Sequence, residues 1–542
     1  MTRLGADIRA RGIAFAAPHI PDPIGGQLVS SAAAEGRRRS ADPAHPHRTA
    51  RSVACTPSMY APEQAVEGPP MKTPENDPAP AAPEAQPLTS HPNRVLAVLL
   101  AACVSFALSQ VLVLPALPAL ARNYNASPTT TSWILTGFLL SASIATPVVG
   151  KLGERYGKAR MLTAVLLMFC LGAVVNALAP SVGVLIAGRV LQGVAGGVFP
   201  LAFGVVRDSF PQPQVPGAIS LISAIFGVGS GIALPLSGVI VDHLDVSWLF
   251  WLGLVALPVA VAAHRWVPPS PRGDGNGIDW AGALLLAAVL ASLLLGVTQA
   301  PSLGWGSPAD VALLCGGSVL LLLWIRLESR TARPLIRLDV LAQRTVAMTN
   351  VTAFLIGLAI FAGFLLLPQL AQAPAGDGPG LGTTATVAGL LLLPSAIGQL
   401  LVGTFAGRLG VALGFRRTLV LGAALTSGSF AQLTVFHSVP WHLLLGGFTM
   451  GAGASFAFGS MANLIVQSVQ GSEVGVVTGI NTVVRTVGGA FGSAIATTVL
   501  AAHAGSAGTP PGDGYTTAFV VATAAATSAI LSALLVPTRQ GS

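Results

Sequence analysis

The chain has 542 residues, of which 52% are hydrophobic and only 9% charged, and its mean hydropathy is +0.70. A soluble domain carries roughly 25% charged residues because its surface faces water, so a deficit this deep implies that most of the surface faces lipid. The net charge of +8 does not point to nucleic acid, because the basic residues sit in an N-terminal tail and in short connectors rather than on one basic face.

Residues 1–93 are rich in Pro, Ala, Ser and Arg, with no apolar run long enough for a signal-peptide core. Such a segment cannot bury enough surface to offset its ordering entropy and reads as a disordered cytoplasmic tail. Arg37, Arg38 and Arg39 could touch anionic lipid, though a solvated tail is the plainer reading, and Met71 offers an alternative start. The first apolar helix, from Arg94, then serves as its own uncleaved insertion signal.

A helix needs about 20 apolar residues to cross the hydrocarbon core. Such runs fall at roughly 95–120, 130–150, 161–180, 182–206, 216–241, 247–266, 279–299, 309–327, 346–371, 384–407, 416–437, 440–466, 473–501 and 515–536. That makes fourteen, and backbone polarity leaves helices as the only choice for runs of this kind. With the N-terminus inside, the inner connectors and C-terminus carry sixteen basic residues: Lys151, Arg155, Lys158, Arg160, Arg207, Arg265, Arg272, Arg326, Arg330, Arg333, Arg337, Arg344, Arg408, Arg416, Arg417 and Arg539. The outer ones carry only Arg122. The positive-inside rule therefore puts both termini in the cytoplasm and supports the helix count. Arginine in place of lysine, with abundant Ala, Gly and Pro, suggests a GC-rich bacterial genome and hence the inner membrane. Trp133, Trp248, Trp266, Trp280 and Trp305 fall near helix ends, as an interfacial belt does. Cys55, Cys103, Cys170 and Cys315 have neither metal spacing nor the density of a disulfide framework. No cofactor or metal is implied.

The connector after the second run reads Gly150-Lys-Leu-Gly-Glu-Arg-Tyr-Gly-Lys-Ala-Arg160. Gly150 permits close helix approach, Gly157 a tight turn, and the Glu154 carboxylate can meet arginines or a helix N-terminus. Leu152, Arg155, Lys158 and Arg160 complete the pattern. It resembles the cytoplasmic signature of the major facilitator superfamily, Gly-x-Leu-Ala-Asp-Arg-x-Gly-Arg-Lys, with Glu154 replacing the usual Asp. The fourth run carries Arg189-Val-Leu-Gln192-Gly193, similar to the family's second motif, in which the resemblance ties the arginine to proton transfer and conformational coupling. A charge near mid-membrane costs about 2.5–3.5 kcal/mol or more and should face the bundle interior; snorkelling to the cytoplasmic face is the alternative. In the fifth run, Gly227, Gly231, Pro235 and Gly238 form a degraded version of the antiporter motif, expected to give a glycine groove and a bendable helix.

The branch is suggested by further stretches. These are Asp279-Trp280 and Gly304-Trp305, Glu328-Ser-Arg330 leading to Pro334-Leu-Ile-Arg-Leu338, and Gly479-Ile-Asn481 followed by Arg485-Thr-Val-Gly-Gly489. Together with the motifs above they resemble the fourteen-span drug:proton antiporter branch over residues 95–537. That resemblance implies an all-α polytopic protein with the major facilitator fold: a six-helix bundle at 94–266, two additional helices at 279–327 and a second six-helix bundle at 346–537. It offers Asn481 and Arg485 as second-half candidates. A weak echo of the first motif, Gly403-Thr-Phe-Ala-Gly-Arg408-Leu-Gly410, places Gly407 where the acid would sit, as expected of duplicated halves.

No carboxylate falls at mid-span: all twelve acids after residue 93 lie at helix ends or in connectors. Where related exporters have an acid in the first helix this chain has Ser109-Gln110, so proton coupling is less well supported than transport. A cavity without acids suits a neutral or amphipathic molecule, and Arg189 and Arg485 could accept a weak acid. The expected function is a secondary exporter of hydrophobic or amphipathic small molecules, proton-coupled and monomeric in the bilayer. A facilitator or importer of a metabolite on the same fold is the alternative. No phosphate-binding Gly-x-x-x-x-Gly-Lys loop and no paired acids, histidine cluster or nucleophile with its base support ATP drive or an enzyme.

Overall fold

In the computed structural model the described residues are 91–269, 279–332, 334–375, 380–470, 473–503 and 512–537. The tail expected at 1–93 lies outside them except for its last three residues, as do Arg272, Asp274, Arg333, Asp377 and Arg539.

Fourteen helices are long and apolar enough to cross a membrane. They are α1 (Pro92–Leu112), α2 (Pro128–Tyr156), α3 (Lys158–Ala177), α4 (Val182–Ser209), α5 (Val215–His243), α6 (Trp248–Trp266) and α7 (Trp280–Leu303) in the first part of the chain. Then follow α8 (Pro308–Glu328), α9 (Arg344–Gln372), α10 (Ala385–Leu413), α11 (Phe415–Val435), α12 (Pro440–Ser468), α13 (Val474–Ala502) and α14 (Gly512–Leu534). Side-chain caps mark several starts: the Ser127, Ser181, Ser307 and Thr384 hydroxyls and the Asp279 carboxylate accept backbone N–H bonds from the first turn.

The first run is shorter than expected. Helix α1 stops at Leu112 and a separate helix covers Leu117–Asn123, because Pro115 and Pro118 lack the N–H that a continuous helix needs. The echo between halves also has a different register. Gly157 (φ 97°) joins α2 directly to α3, and Gly414 (φ 89°) joins α10 directly to α11, left-handed positions that favour glycine. Gly407 precedes Gly414 by the spacing at which Gly150 precedes Gly157, so Gly407 corresponds to Gly150. The acid's place is taken by Val411.

Helices α1–α6 pack among themselves, as do α9–α14, and the two groups meet where α2 faces α13 and where α5 faces α10. The additional pair lies to one side. Helix α7 sets Ala283, Leu286, Val289 and Leu290 against Val476, Ile480 and Val483 of α13 and against Ile144 and Val148 of α2, covering that seam. Helix α8 buries only Asp310, Gly317, Trp324 and Glu328. Leucines and valines such as Leu171, Leu257, Val261, Leu322 and Leu401 are exposed around the circumference, as a lipid-facing surface requires.

Candidate functional site

The described basic residues of the inner set lie at one end of the alternating helices, called here the arginine-rich end. The two groups of helices touch closely there. A Cβ on Gly150 would stand 2.8 Å from the Gly475 carbonyl oxygen, and one on Gly407 2.6 Å from both Gly217 Cα and the Pro216 oxygen. The second-half echo of the first motif thus lies on α5 as Gly150 lies on α13. Arg207 donates to the Val466 carbonyl, and Asn463 Nδ2 donates to the Pro216 oxygen at 3.3 Å and to Ser220 Oγ at 3.2 Å.

The rest of the first motif surrounds this contact. Glu154 lies 3.4 Å from Lys151 Nζ and faces the first turn of α13 at Val476, where the helix dipole favours an anion. Leu152 is half-buried and Arg160 exposed, and Arg155 stacks on its neighbour Tyr156 at 5.2 Å. Lys158 is not a free cation: its stem runs over Gly204 and its Nζ bonds Asp208 at 2.5 Å, tying α3 to the end of α4. Sequence reasoning missed Asp208, which is 50 residues away, with only its position beside Arg207 as a signal.

The connector after α8 joins the same end. The Glu328 carboxylate, 2% exposed, accepts from the Ile336 N–H at 2.5 Å, while Leu335 and Ile336 are buried. That is the physical content of the Glu328…Pro334-Leu-Ile-Arg stretch. Arg337 reaches Glu473 at 3.4 Å and holds the Asp339 carboxyl below the usual carboxylate range through its hydrogen bond.

Arg189 sits seven residues from the start of α4 at Val182, about 10 Å along the helix. It lies about a quarter of the way along the helix from the end opposite the arginine-rich one, which rules out snorkelling to the arginine-rich face. It is fully buried. Its Nε donates to the Ile134 oxygen at 3.3 Å, and one terminal nitrogen donates to the Ser109 oxygen at 3.2 Å and to Gln192 Oε1 at 3.0 Å. The guanidinium lies 4.1 Å above the Phe138 ring. Gln192 Oε1 also accepts from Asn176 Nδ2 at 2.8 Å. Every acceptor is neutral, so Ser109, standing where an acid was expected, supplies part of the arginine's cradle. The glycines beside it make close packing: a Cβ on Gly193 would stand 2.6 Å from the Phe138 carbonyl oxygen of α2.

The glycines of α5 face α10. Added Cβ atoms would meet the Gln399 amide at 1.8 Å from Gly227, Ala396 Cβ at 2.1 Å from Gly231 and Thr386 Oγ1 at 2.9 Å from Gly238. Pro235 lies within an unbroken helix against Gly389. The antiporter-like stretch is thus part of the surface on which the two groups of helices meet.

Between the groups, away from the sealed end, lies a narrow cavity of two lobes that share Phe199, Phe226, Thr482 and Arg485. One lobe adds Gln110, Ser143 and Phe361; the other adds Ser223, Phe458 and Asn481. Arg485 stands near the middle of α13. Its guanidinium lies 4.3 Å above the Phe458 ring and 5.7 Å from that of Phe226. Asn481 Nδ2 donates to Asn350 Oδ1 at 2.9 Å, linking α13 to α9. Gly488 and Gly489, which follow Arg485 in the sequence, pack on Phe354 and Phe361 of α9. Arg485 is therefore closer to mid-span than Arg189. Among the described residues no acid lines the cavity.

The sequence profile of the Major Facilitator Superfamily matches residues 98–373 and 349–542. The chain belongs to the major facilitator superfamily. Within the superfamily it resembles multidrug exporters. It is 28% identical over 367 residues to the puromycin resistance protein of Streptomyces alboniger, covering 65% of this chain and 71% of that one. It is 25% identical over 355 residues to the multidrug transporter protein MdtP of Bacillus subtilis, covering 64% of each. Other curated relatives are matched over 54% to 65% of their own length. The major facilitator fold is shared with the crystal structure of the human organic anion transporter MFSD10, at a TM-score of 0.59 and 15% identity over 81% of this chain and 99% of that one.

Proposed function

We propose that this chain is a secondary exporter of hydrophobic or amphipathic small molecules, working by alternating access of the helices at 94–266 and 346–537 to a central cavity. The observation that carries this reading is the cavity itself, lined by phenylalanines and a few uncharged polar groups between two groups of helices whose contacts run through glycines. Apolar walls with a small number of placed polar groups are what a small-molecule site requires. The names of the puromycin-resistance and multidrug relatives support the substrate class.

The arginine-rich end is assigned to the cytoplasm by the positive-inside rule, so the conformation described is the one closed on that side. The motif Gly150, Leu152, Glu154, Arg155, Gly157, Lys158 and Arg160 acts as the inner gate, Gly227, Gly231, Pro235 and Gly238 as the sliding face, and Arg189 with Gln192 and Gly193 as the conformational anchor. Helix α7 closes the α2–α13 seam against lipid. Protons are the coupling ion in this reading.

A second reading keeps the fold and drops the proton. It is favoured by one observation: among the described residues no acid lines the cavity, and the buried Arg189 has only neutral acceptors. Reconstituted proteoliposomes separate the two. An imposed pH gradient drives substrate uphill if protons are coupled. Equilibration without accumulation supports facilitation, and no flux of any amphipathic compound contradicts transport altogether.

A further inference from the structure

The most exposed chemical demand in the cavity is that of Arg485. It stands eleven residues into a 29-residue helix, where a cation costs about 2.5–3.5 kcal/mol or more unless it is compensated. Its compensation within the chain is incomplete. Phe458 and Phe226 lie against the guanidinium, which gives cation–π attraction but accepts none of its in-plane N–H groups. A guanidinium carries five such donors in a planar fork. Among the described residues no hydrogen bond or ion pair takes them up, and no acid is near enough to act on the group electrostatically. Arg189 differs, since backbone and amide oxygens receive the donors of its Nε and of one terminal nitrogen.

Both lobes of the cavity include Arg485, so a ligand in either meets the free fork. The side chains around it are uncharged: Gln110, Thr482, Thr486 and Asn481 on the polar side, phenylalanines on the other.

We propose that the cavity is selective for amphipathic organic anions. The carboxylate or sulfonate of the substrate receives the Arg485 fork in a two-pronged, charge-assisted contact, and its aromatic body lies against Phe199 and Phe361. Lipophilic cations are disfavoured, because at about 6 Å from an uncompensated guanidinium a second cation is repelled enough to weaken binding on the order of tenfold to a hundredfold. This rests on the reading of the cavity as the transport site and narrows the substrate class within it.

The test uses a matched pair of one ring system and opposite charge, 2-naphthalenesulfonate and 2-naphthyltrimethylammonium, with 2-naphthol as the neutral member. Binding is measured by calorimetry on the full chain in lipid nanodiscs, and flux in proteoliposomes. The wild type should bind the sulfonate at least tenfold more tightly than the ammonium. Arg485→Gln should weaken sulfonate binding on the order of 10- to 100-fold and reverse the preference, and Arg485→Lys should recover part of it. The comparison of the two probes on the wild type needs no variant and stands if one fails to fold. Equal or tighter binding of the ammonium by the wild type, or sulfonate binding unchanged in a folded Arg485→Gln protein, overturns the anion assignment while leaving transport in place. If none of the three compounds is bound or moved, the transport reading falls and the assignment falls with it.

Discussion

Substituting Gly150 by alanine adds one methyl group at the crossing of α2 and α13. The new Cβ would stand 2.8 Å from the Gly475 oxygen, 2.9 Å from its carbonyl carbon and 3.2 Å from the Val476 nitrogen. Ordinary carbon–oxygen contacts begin at about 3.3 Å, so the start of α13 must retreat by roughly 0.5 Å. The obstacle is backbone, which no side-chain rotation relieves, and overpacking of this kind costs about 1–3 kcal/mol. Under the proposed alternating access the contact is lost when the arginine-rich end opens, so the cost falls on the closed state alone. It converts to a shift of about 5- to 150-fold towards the state open to the cytoplasm. A cysteine at cavity residue 143 (Ser143→Cys) in a background without Cys55, Cys103, Cys170 and Cys315 reports it, through labelling by an impermeant maleimide in everted vesicles. Gly428→Ala, where a Cβ meets nothing within 4 Å, is the control for an added methyl. Labelling in Gly150→Ala should rise by about that factor. If Gly150→Ala labels no faster than Gly428→Ala and both melt alike, the α2–α13 crossing is not the gate.

Asp208→Asn strands the buried Lys158 ammonium and should lower stability by about 3–5 kcal/mol, read as a fall in melting temperature in detergent. Lys158→Met combined with Asp208→Leu should recover most of it, and an unchanged midpoint for Asp208→Asn contradicts a buried pair. Arg189→Ala should abolish efflux while membrane insertion persists, and Arg189→Lys should not rescue it, since one ammonium cannot reach the Ile134, Ser109 and Gln192 acceptors together. Wild-type efflux by the alanine variant makes the arginine a bystander. Gly231→Leu, whose first carbon already meets Ala396 Cβ at 2.1 Å, should separate α5 from α10 and stop transport with the protein still in the membrane; normal flux would show that this face carries no closure.

The spans were legible because length and hydropathy decide them locally, and the basic connectors fixed their alternation. The end of α1 was overrun where hydropathy continued past Pro115 and Pro118, whose missing N–H groups end the helix without interrupting the apolar run. The echo at Gly403–Gly410 was found but placed four residues out. The seven-residue spacing from Gly150 to Gly157, repeated from Gly407 to Gly414, was the available signal. What a helix pattern does not carry is which residues meet across the bundle. Asp208 receives Lys158 across 50 residues, Arg207 reaches Val466 across 259, and Phe458 covers Arg485 from another helix. Arg189 lies about a quarter of the way along its helix and Arg485 near the middle of its own, because depth depends on where each helix begins.

The central claim is that the chain moves amphipathic molecules out of the cell, and accumulation measures it directly. Cells producing the protein are loaded with a panel of aromatic amphipaths of both charges, with and without a protonophore, and compared with cells carrying an empty vector. The account predicts lower steady-state accumulation of at least the anionic members, restored to the vector level when the gradient is collapsed. Equal accumulation across the whole panel in both strains would contradict it.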